Sequence, residues 1–178
     1  MAIGGLEPVR SRAAAGCDFD ALVREYQSMV FSLAYHFLHE RQAAEEVAQE
    51  VFLALHRSQA AIESPAHAKF WLRKVAAQRS IDEARRRKRH PQVALEAAPE
   101  PVAAVAPGDP MLGDLLRRLI ATLPETPRMV MVMRYQEDLD PTEIAELLDM
   151  PVTTVKSHLK RSLTLLREKL QRRGVGEE

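Results

Sequence analysis

The stretch that most constrains this chain of 178 residues lies between residues 140 and 170. Asp140 can cap a helix, Pro141 suits the first helical position, and Glu143 can close a capping box. Met150 must leave the helical conformation because it precedes a proline. Between the two ends, apolar residues recur at helical spacing, namely Ile144, Ala145, Leu147 and Leu148. The pattern predicts a short helix followed by a tight break.

A second helix is predicted to begin near Val152, with Val155, Leu159 and Leu163 on one face. The other positions carry mostly hydroxyl and basic side chains: Thr153, Thr154, Lys156, Ser157, Lys160 and Arg161. Residues 150–173 have a net charge of +6, whereas the preceding residues 114–149 have a net charge of −4. Two short helices with the second one basic suit the major groove of DNA. The alternative is a solvated face on an ordinary packed helix pair.

Composition restricts the rest of the chain. A low aromatic content of 5% with abundant Ala, Leu, Glu and Arg favours an all-α fold. The net charge is zero, so only local basic patches could bind nucleic acid. The lone Cys17 excludes an intramolecular disulfide framework, and no apolar run approaches the roughly 20 residues that span a bilayer. No secretory signal is recognisable, so we expect a cytoplasmic protein without membrane insertion.

Two small helical domains joined by a flexible linker are predicted. The segment from His90 to Gly113 contains five prolines and two glycines, which prevent a continuous helix. We therefore assign residues 91–113 to a Pro/Ala-rich linker. Residues 1–17 are predicted to form a flexible tail, residues 18–90 an N-terminal helical bundle, and residues 114–173 the C-terminal helix-turn-helix domain.

The N-terminal half contains three predicted helices. Apolar residues from Phe19 to Phe37 recur at steps of three and four, which predicts one long amphipathic helix. A second helix runs from about Arg41 to Arg57, with acidic residues on its outer side. Its inner positions are Ala44, Val47, Val51 and Leu55. A third runs from about His67 to Arg87, and its spaced positions include Phe70, Trp71, Val75, Gln78 and Ile81.

The third predicted helix is strongly basic. Residues 69–89 have a net charge of +7 and end in the run Arg85-Arg86-Arg87-Lys88-Arg89. Cations at the end of a helix offset its macrodipole, but five in succession exceed that need. With four further cations upstream, they could form a helical face that follows a phosphate backbone. Those four are Lys69, Arg73, Lys74 and Arg79. A merely solvated basic run is the alternative.

Three stretches together resemble the extracytoplasmic-function sigma factors, the smallest type in the sigma-70 family. Residues 44–57 (AEEVAQEVFLALHR) resemble the family's polymerase-binding helix. Residues 70–89 (FWLRKVAAQRSIDEARRRKR) resemble the helix that melts and reads the −10 promoter element. Residues 123–170 resemble the domain that reads the −35 element. The three stretches occur in the family's order and with its linker.

The resemblance implies roles for individual residues. Contact with the clamp helices of the polymerase β′ subunit is implied for Glu45, Glu46, Gln49, Glu50 and Leu53. Contact with the −10 element is implied for Lys69, Arg73, Arg79, Arg85, Arg86, Arg87 and Lys88. Contact with the −35 element is implied for Thr153, Thr154, Lys156, Ser157, Lys160 and Arg161. The loop from Ala60 to Lys69 falls where the family captures a flipped base, and Trp71 falls where the family has a mainly core residue.

The resemblance also implies partners and departs from the family in places. Core RNA polymerase, through its β′ clamp helices and β flap, and promoter DNA are the expected partners, and an anti-sigma factor is a further candidate. Gln78-Arg79-Ser80 differs from the usual sequence, so the preferred −10 base cannot be carried over. Thr153 stands where Gly or Ser is common, and His158 where Arg is common.

Other classes of protein remain to be weighed. No Gly-rich phosphate loop and no paired nucleophile and base are present, so we expect neither an enzyme nor a cofactor. His36, His39 and Glu40 could share a helix side, but no second Glu-x-x-His motif completes a metal site. A helix-turn-helix regulator that does not join the polymerase would not need the acidic helix at 44–57. A sigma-like protein that only sequesters a partner would not need the basic surfaces. We also hypothesise that the free protein holds its halves together and masks its DNA surfaces.

Overall fold

The computed structural model of the protein describes residues 18–58, 62–90 and 110–172. Those residues form seven α-helices and no strand, which confirms the predicted all-α class. The helices are α1 (Phe19–Leu38), α2 (Arg41–Ser58), α3 (Pro65–Arg89), α4 (Pro110–Ala121), α5 (Glu125–Tyr135), α6 (Pro141–Leu147) and α7 (Val152–Gln171). The predicted tail 1–17, with Cys17, lies outside the described residues, as do residues 59–61 and 91–109 of the predicted loop and linker.

Helices α1, α2 and α3 pack together as the predicted N-terminal bundle. The carboxylate of Asp18 accepts a hydrogen bond from the Asp20 amide and begins α1. The hydroxyl of Ser64 accepts one from the His67 amide, 3.1 Å away, and Pro65 takes the first position of α3. The predicted inner residues of α2 are all buried. Capping therefore fixes where α1 and α3 begin, and core packing holds α2 between them.

The buried face of α3 consists of small residues rather than large apolar ones. Phe70 and Gln78, which stand at spaced positions of the predicted helix, are exposed, and Trp71 and Val75 are half-buried. The buried residues are instead Ala68, Leu72, Ala76, Ala77, Ser80 and Ile81. Small side chains allow α3 to approach α1 and α2 closely, so the helix turns its long cationic side chains away from the core.

The C-terminal half contains the predicted helix-turn-helix. Asp140 accepts hydrogen bonds from the amides of Thr142 and Glu143 at 2.6 and 3.0 Å, while the Glu143 carboxylate accepts one from the Asp140 amide at 2.8 Å. The predicted capping box is thereby confirmed. These backbone hydrogen bonds lower the pKa of Asp140, because they favour its charged form. The first helix of the motif therefore begins where the sequence predicts.

The break between α6 and α7 is a left-handed helix end. Asp149 has a φ of 50°, and the Met150 amide donates to the Ala145 carbonyl at 3.0 Å. This is the geometry of a Schellman motif, in which glycine is the usual left-handed residue. Pro151 then precedes α7. The chain thus turns within four residues and presents α7 to solvent.

Two predictions differ from the structure, one about a domain boundary and one about the buried face of a helix. Helix α4 begins at Pro110, inside the segment 91–113 that was predicted as linker, because proline is acceptable in the first turn of a helix. Leu163 was predicted on the inner face of α7 but is 41% exposed. The buried positions of α7 are Val155, Ser162 and Leu166, so successive buried residues are seven and then four positions apart. A repeat of 3.6 residues per turn brings Ser162, and not Leu163, to the core.

The two halves contact each other. Helices α1 and α3 of the N-terminal bundle pack against α5, and α3 also approaches α6. One cluster of buried apolar residues includes Leu33 and Phe37 from the first half together with Met129 and Met133 from the second. The contact between halves determines which charged surfaces remain open.

Within the described ranges, no helix is both long and apolar enough to cross a membrane.

Candidate nucleic-acid interface

One side of α2 carries the five residues predicted to bind polymerase. Their positions, 45, 46, 49, 50 and 53, follow helical spacing, and all five side chains are exposed. Leu53 is 57% exposed, the largest exposed fraction among the exposed large apolar residues that the structure describes. The surface is thus acidic at one end and apolar at the other.

An apolar groove of about 870 Å³ adjoins this surface between α1 and α2. Glu45, Gln49 and Leu53 line one wall. The remaining apolar lining comes from Phe19, Val23, Phe31, Ala48 and Phe52. A groove that combines apolar walls with charged edges suits an amphipathic helix from a partner.

The acidic side chains of α2 are held by neighbouring residues. Glu45 pairs with Arg41 at 2.8 Å, and the side-chain amide of Gln42 donates to Glu46 at 3.1 Å. Glu50 pairs with Arg79 of α3 at 2.6 Å. A residue predicted to bind polymerase and a residue predicted to bind DNA therefore contact each other directly.

The basic run at the end of α3 is largely paired within the N-terminal half. Arg85 lies 3.8 Å from Asp82, and Arg86 lies 2.7 Å from Glu83, whose hydrogen bond raises the pKa of Arg86. Arg87 contacts both Glu83 and Glu40, and its side chain is only 15% exposed. Burial lowers the pKa of Arg87. Arg87 thus fastens α3 to the end of α1, whereas its neighbours face solvent.

Other cations of α3 meet carboxylates from the C-terminal half. Arg73 lies 3.3 Å from Glu137, which follows α5, and Lys88 lies 3.6 Å from Glu125 at the start of α5. Lys69 is exposed and forms no ion pair with any residue that the structure describes. Lys74, which the sequence placed on the basic face without assigning it a −10 contact, lies 2.8 Å from Asp149. The basic face is therefore partly covered.

Trp71 lies at the border between core and surface. It packs against the buried cluster but is half-buried, and it lines an opening between α2 and α3. Arg79, Arg86 and Glu50 line the same opening. An indole beside cations in an accessible cleft is able to stack on a base, in addition to its role in packing.

The outer face of α7 is open. Of the residues predicted to read the −35 element, Thr154 is half-buried and the other five are exposed: Thr153, Lys156, Ser157, Lys160 and Arg161. His158 is half-buried. An exposed helix that follows a tight turn and carries hydroxyl and cationic side chains has the form of a recognition helix.

Two histidines, His36 and His39, lie near two arginines, Arg117 and Arg128, at the end of α1. Burial, followed by Arg117, lowers the pKa of His36. Burial lowers the pKa of His39 to about 4, with further contributions from Arg128, His36 and Arg117. The Nε2 atom of His39 is buried without a hydrogen-bond partner among the described residues. Across those same residues, no three His, Cys, Asp or Glu side chains converge as metal ligands.

Neither Glu137 nor Asp149 was predicted from the sequence as a partner of the basic face. They are separated from Arg73 and Lys74 by 64 and 75 positions. The only signal was charge sorting, because an acidic segment at 114–149 and a basic one at 69–89 attract each other. The sorting predicts that the segments meet but not which residues pair.

Comparison with known proteins identifies both halves. The sequence model for sigma-70 region 2 matches residues 22–90, and the model for sigma-70 region 4 matches residues 113–166. The ECF RNA polymerase sigma factor SigW of Bacillus subtilis is 29% identical over 166 residues, covering 86% of this chain and 89% of SigW. The ECF RNA polymerase sigma-E factor of Escherichia coli K12 is 30% identical, covering 86% of each chain.

The fold is similarly matched. The sigma factor RpoE of Bartonella quintana, solved in complex with the anti-sigma factor NepR, superimposes with a TM-score of 0.68 at 17% identity. The alignment covers 86% of this chain and 97% of RpoE. Both halves, their order and their helical architecture agree with the matched proteins. The chain therefore belongs to the sigma-70 family, within its extracytoplasmic-function group.

Proposed function

We propose that this protein binds core RNA polymerase through the exposed side of α2 and places the enzyme at promoters through α3 and α7. The observation that carries the proposal is the α2 surface, where acidic side chains adjoin the exposed Leu53. A DNA-binding protein that acts without joining the polymerase does not need such a surface. The role is non-catalytic, because the polymerase supplies the chemistry.

The β′ clamp helices are the proposed occupants of the α2 surface. Glu45, Glu46 and Glu50 offer carboxylates to cationic side chains, while Gln49 and Leu53 supply polar and apolar contacts. Complementary charge accelerates the encounter and sets its orientation, whereas the buried apolar contact provides most of the affinity. We assign the adjoining groove between α1 and α2 to the same interface.

The −10 element is the proposed ligand of α3. Lys69, Arg73, Arg79, Arg85, Arg86 and Lys88 are assigned to phosphates of the opened strand. Arg87 is assigned to positioning α3 instead, because two carboxylates hold its half-buried side chain. Opening a duplex costs a few kcal/mol in unpairing and unstacking, which phosphate contacts and base capture can offset.

The −35 element is the proposed ligand of α7. Lys156, Lys160 and Arg161 can donate to guanine edges or to phosphates, and the methyl groups of Thr153 and Thr154 can contact thymine methyls. Ser157 completes the set. The boundaries we propose are residues 18–90 for the first domain and 110–173 for the second, with the β flap as a further contact of the second.

An anti-sigma factor is a further proposed partner. The matched RpoE structure contains one, and SigW and sigma-E are named as ECF factors. The apolar groove beside α2 is the surface we assign to an amphipathic helix of such a partner, in competition with polymerase. We place the protein in the cytoplasm, where polymerase and promoters are found.

Run-off transcription tests the proposed function. Purified bacterial core polymerase is incubated with the protein and with a pool of genomic fragments from its source organism. Discrete transcripts that depend on the protein are expected, and their shared upstream sequences define both promoter elements. Duplex DNA binding without polymerase binding would instead indicate a simple helix-turn-helix regulator. Tight polymerase binding without any transcript would indicate a sequestering protein.

A further inference from the structure

One carboxylate, that of Glu83, holds two consecutive arginines of α3. Its Oε2 atom accepts a hydrogen bond from the Nε atom of Arg86 at 2.7 Å, and its Oε1 atom accepts one from the Nη2 atom of Arg86 at 2.8 Å. The Oε1 atom also accepts a hydrogen bond from the Nε atom of Arg87 at 2.7 Å. The side chain of Glu83 is only 12% exposed. The contact with Arg86 is therefore a bidentate pair in which the carboxylate is shielded from solvent.

Glu83 is itself held from the side of the core. Arg87 contacts Glu40 as well as Glu83, and Glu40 lies between α1 and α2. The side chains of Arg87 and Glu40 are largely shielded from solvent, whereas that of Arg86 is 51% exposed. Charges alternate along the contacts from Glu40 through Arg87 and Glu83 to Arg86. Three shielded side chains thus connect the junction of α1 and α2 to one guanidinium at the surface.

This arrangement fixes the direction of the Arg86 guanidinium. Taking charges out of water costs about as much as their pairing returns, so shielded ion pairs add little to stability, and in some proteins they serve to select one conformation. Here the Nε and Nη2 atoms of Arg86 are engaged, while its Nη1 atom has no hydrogen-bond partner among the described residues. A planar guanidinium that is held by one edge offers its remaining donors in a fixed direction.

We propose that Glu83 is a positioning residue, which orients the guanidinium of Arg86 toward a phosphate of the opened DNA strand. The inference rests on the proposed function, because it takes Arg86 as a phosphate contact of α3. Arg86 lines the opening between α2 and α3, so a phosphate can approach it from solvent. An arginine that is ordered before binding loses less entropy on binding and so contributes more affinity. Glu83 therefore strengthens DNA binding, although it carries the same sign of charge as DNA.

The decisive measurement compares two substitutions that change the charge equally. Glu83→Gln and Asp82→Asn each remove one negative charge, at adjacent positions of α3. Asp82 is exposed and lies 3.8 Å from Arg85, in a looser contact that does not involve Glu83. The full-length proteins are titrated against a fluorescein-labelled forked DNA, a duplex that continues into an unpaired strand of random sequence, at several salt concentrations. Charge alone predicts that both changes tighten binding.

The proposal predicts opposite results for the two substitutions. We expect Glu83→Gln to bind the forked DNA about three- to tenfold more weakly than the wild type, and to lower the slope of log K against log salt by about 1. Asp82→Asn should bind at least as tightly as the wild type. If Glu83→Gln binds as tightly as the wild type or more tightly, Arg86 does not depend on Glu83 for its contact, and the proposal is overturned.

A double-mutant cycle separates positioning from damage to the fold. In an Arg86→Ala background, Glu83→Gln should weaken binding no further, because the side chain that it orients is absent. Further weakening in that background would reveal a general structural effect and refute the positioning role.

A second variant supplies the test if Glu83→Gln does not fold. Arg86→Lys keeps the positive charge and leaves Glu83, Arg87 and Glu40 in place, but an ammonium cannot form the bidentate contact with Glu83. We expect weaker binding of the forked DNA and no change in the urea midpoint of unfolding. Wild-type affinity in Arg86→Lys would show that the direction of the guanidinium is immaterial, which contradicts the proposal.

Arg86→Ala keeps this inference apart from the proposed function. If Arg86→Ala weakens binding of the forked DNA but Glu83→Gln does not, the positioning role is overturned, whereas the assignment of α3 to DNA stands. If the wild type binds neither the forked DNA nor core polymerase, the proposed function fails and the inference falls with it.

Discussion

The guanidinium of Arg128 lies over the ring of Phe37, with its central carbon 5.2 Å from the ring centroid. Phe37 is fully buried in α1, whereas Arg128 belongs to α5. The same guanidinium donates to the carbonyls of Ala121 and Leu123 at 2.7 and 3.0 Å, and burial lowers the pKa of Arg128. One side chain therefore closes the end of α4 and attaches the second half to the first.

Replacement of Arg128 should destabilise the protein. Arg128→Met removes the two hydrogen bonds and the cation–π contact, and we expect a loss of about 2 kcal/mol in the free energy of unfolding. Arg128→Lys should recover little, because a compact, strongly hydrated ammonium cannot lie flat over the Phe37 ring as the planar guanidinium does. Urea unfolding followed by circular dichroism measures both. Arg118→Met, at an exposed site on α4, is the control and should unfold like the wild type.

Acid should weaken the folded protein through His39. The pKa of His39 is about 4 in the folded chain, against 6.5 for an unburied histidine. The unfolded chain therefore binds the proton first, so stability is complete above pH 6.5 and declines as the pH falls toward 4. The loss from this residue is at most about 3 kcal/mol. Urea unfolding at pH 7.5, 6 and 5 measures it.

A substitution at position 39 isolates that effect. His39 has a φ of 56°, so asparagine is the suitable replacement. His39→Asn should flatten the dependence of stability on pH between 6.5 and 4. His56→Gln, at an exposed site on α2, should leave the dependence unchanged. An unaltered slope in His39→Asn would contradict the assignment.

Leu53→Glu should weaken binding to core polymerase with the fold intact. The side chain is exposed in the free protein, so the change costs no core packing, and it places a charge within an interface assigned as apolar. Loss of a central contact of this kind is typically worth about 2 kcal/mol, or about thirtyfold in Kd. Leu163→Glu, another exposed leucine, should bind like the wild type. Fluorescence anisotropy with labelled protein measures both. Equal weakening by the two changes would move the interface away from α2.

Lys156→Ala with Lys160→Ala should weaken binding to duplex DNA that carries the −35 element. The loss of two phosphate or base contacts should reduce the slope of log K against log salt by about 2. A salt titration of duplex binding measures it. Arg24→Ala with Arg57→Ala removes the same charge from exposed sites of the first half. If this control pair lowers the slope as much, net charge rather than α7 would account for the result.

Features that depend only on residues close together in the sequence could be predicted. Asp140, Glu143 and the proline between them specify a capping box, because all of its contacts lie within three residues. The buried side of α2 followed from large aliphatic residues at helical spacing. The three helices of the first half, the two helices of the helix-turn-helix and the family also followed from local motifs. The structure confirms those five helices and the comparisons confirm the family, whereas α4 and α5 were not predicted.

Features that depend on packing between distant segments could not be predicted. Ser162 is buried and Leu163 is exposed because the phase of α7 is set by its contact with α5, and hydropathy alone favours the opposite. The small residues Ala76, Ala77 and Ser80 gave only a weak apolar signal, although all three are buried in the folded chain. The cations of α3 were assigned to DNA without regard to the carboxylates that meet them in the folded chain.

If Glu50 binds polymerase and Arg79 binds DNA as proposed, the ion pair between them couples the two binding equilibria. A partner that engages Glu50 leaves Arg79 unpaired, and an unpaired Arg79 binds phosphate more readily. Equilibrium linkage then requires that DNA bound at Arg79 raise the affinity of the partner for Glu50, by the same factor by which the partner raises the affinity for DNA. Because exposed ion pairs contribute at most about 1 kcal/mol, that factor is no more than about five. On these proposed assignments, we expect a single surface ion pair to make assembly on a promoter cooperative.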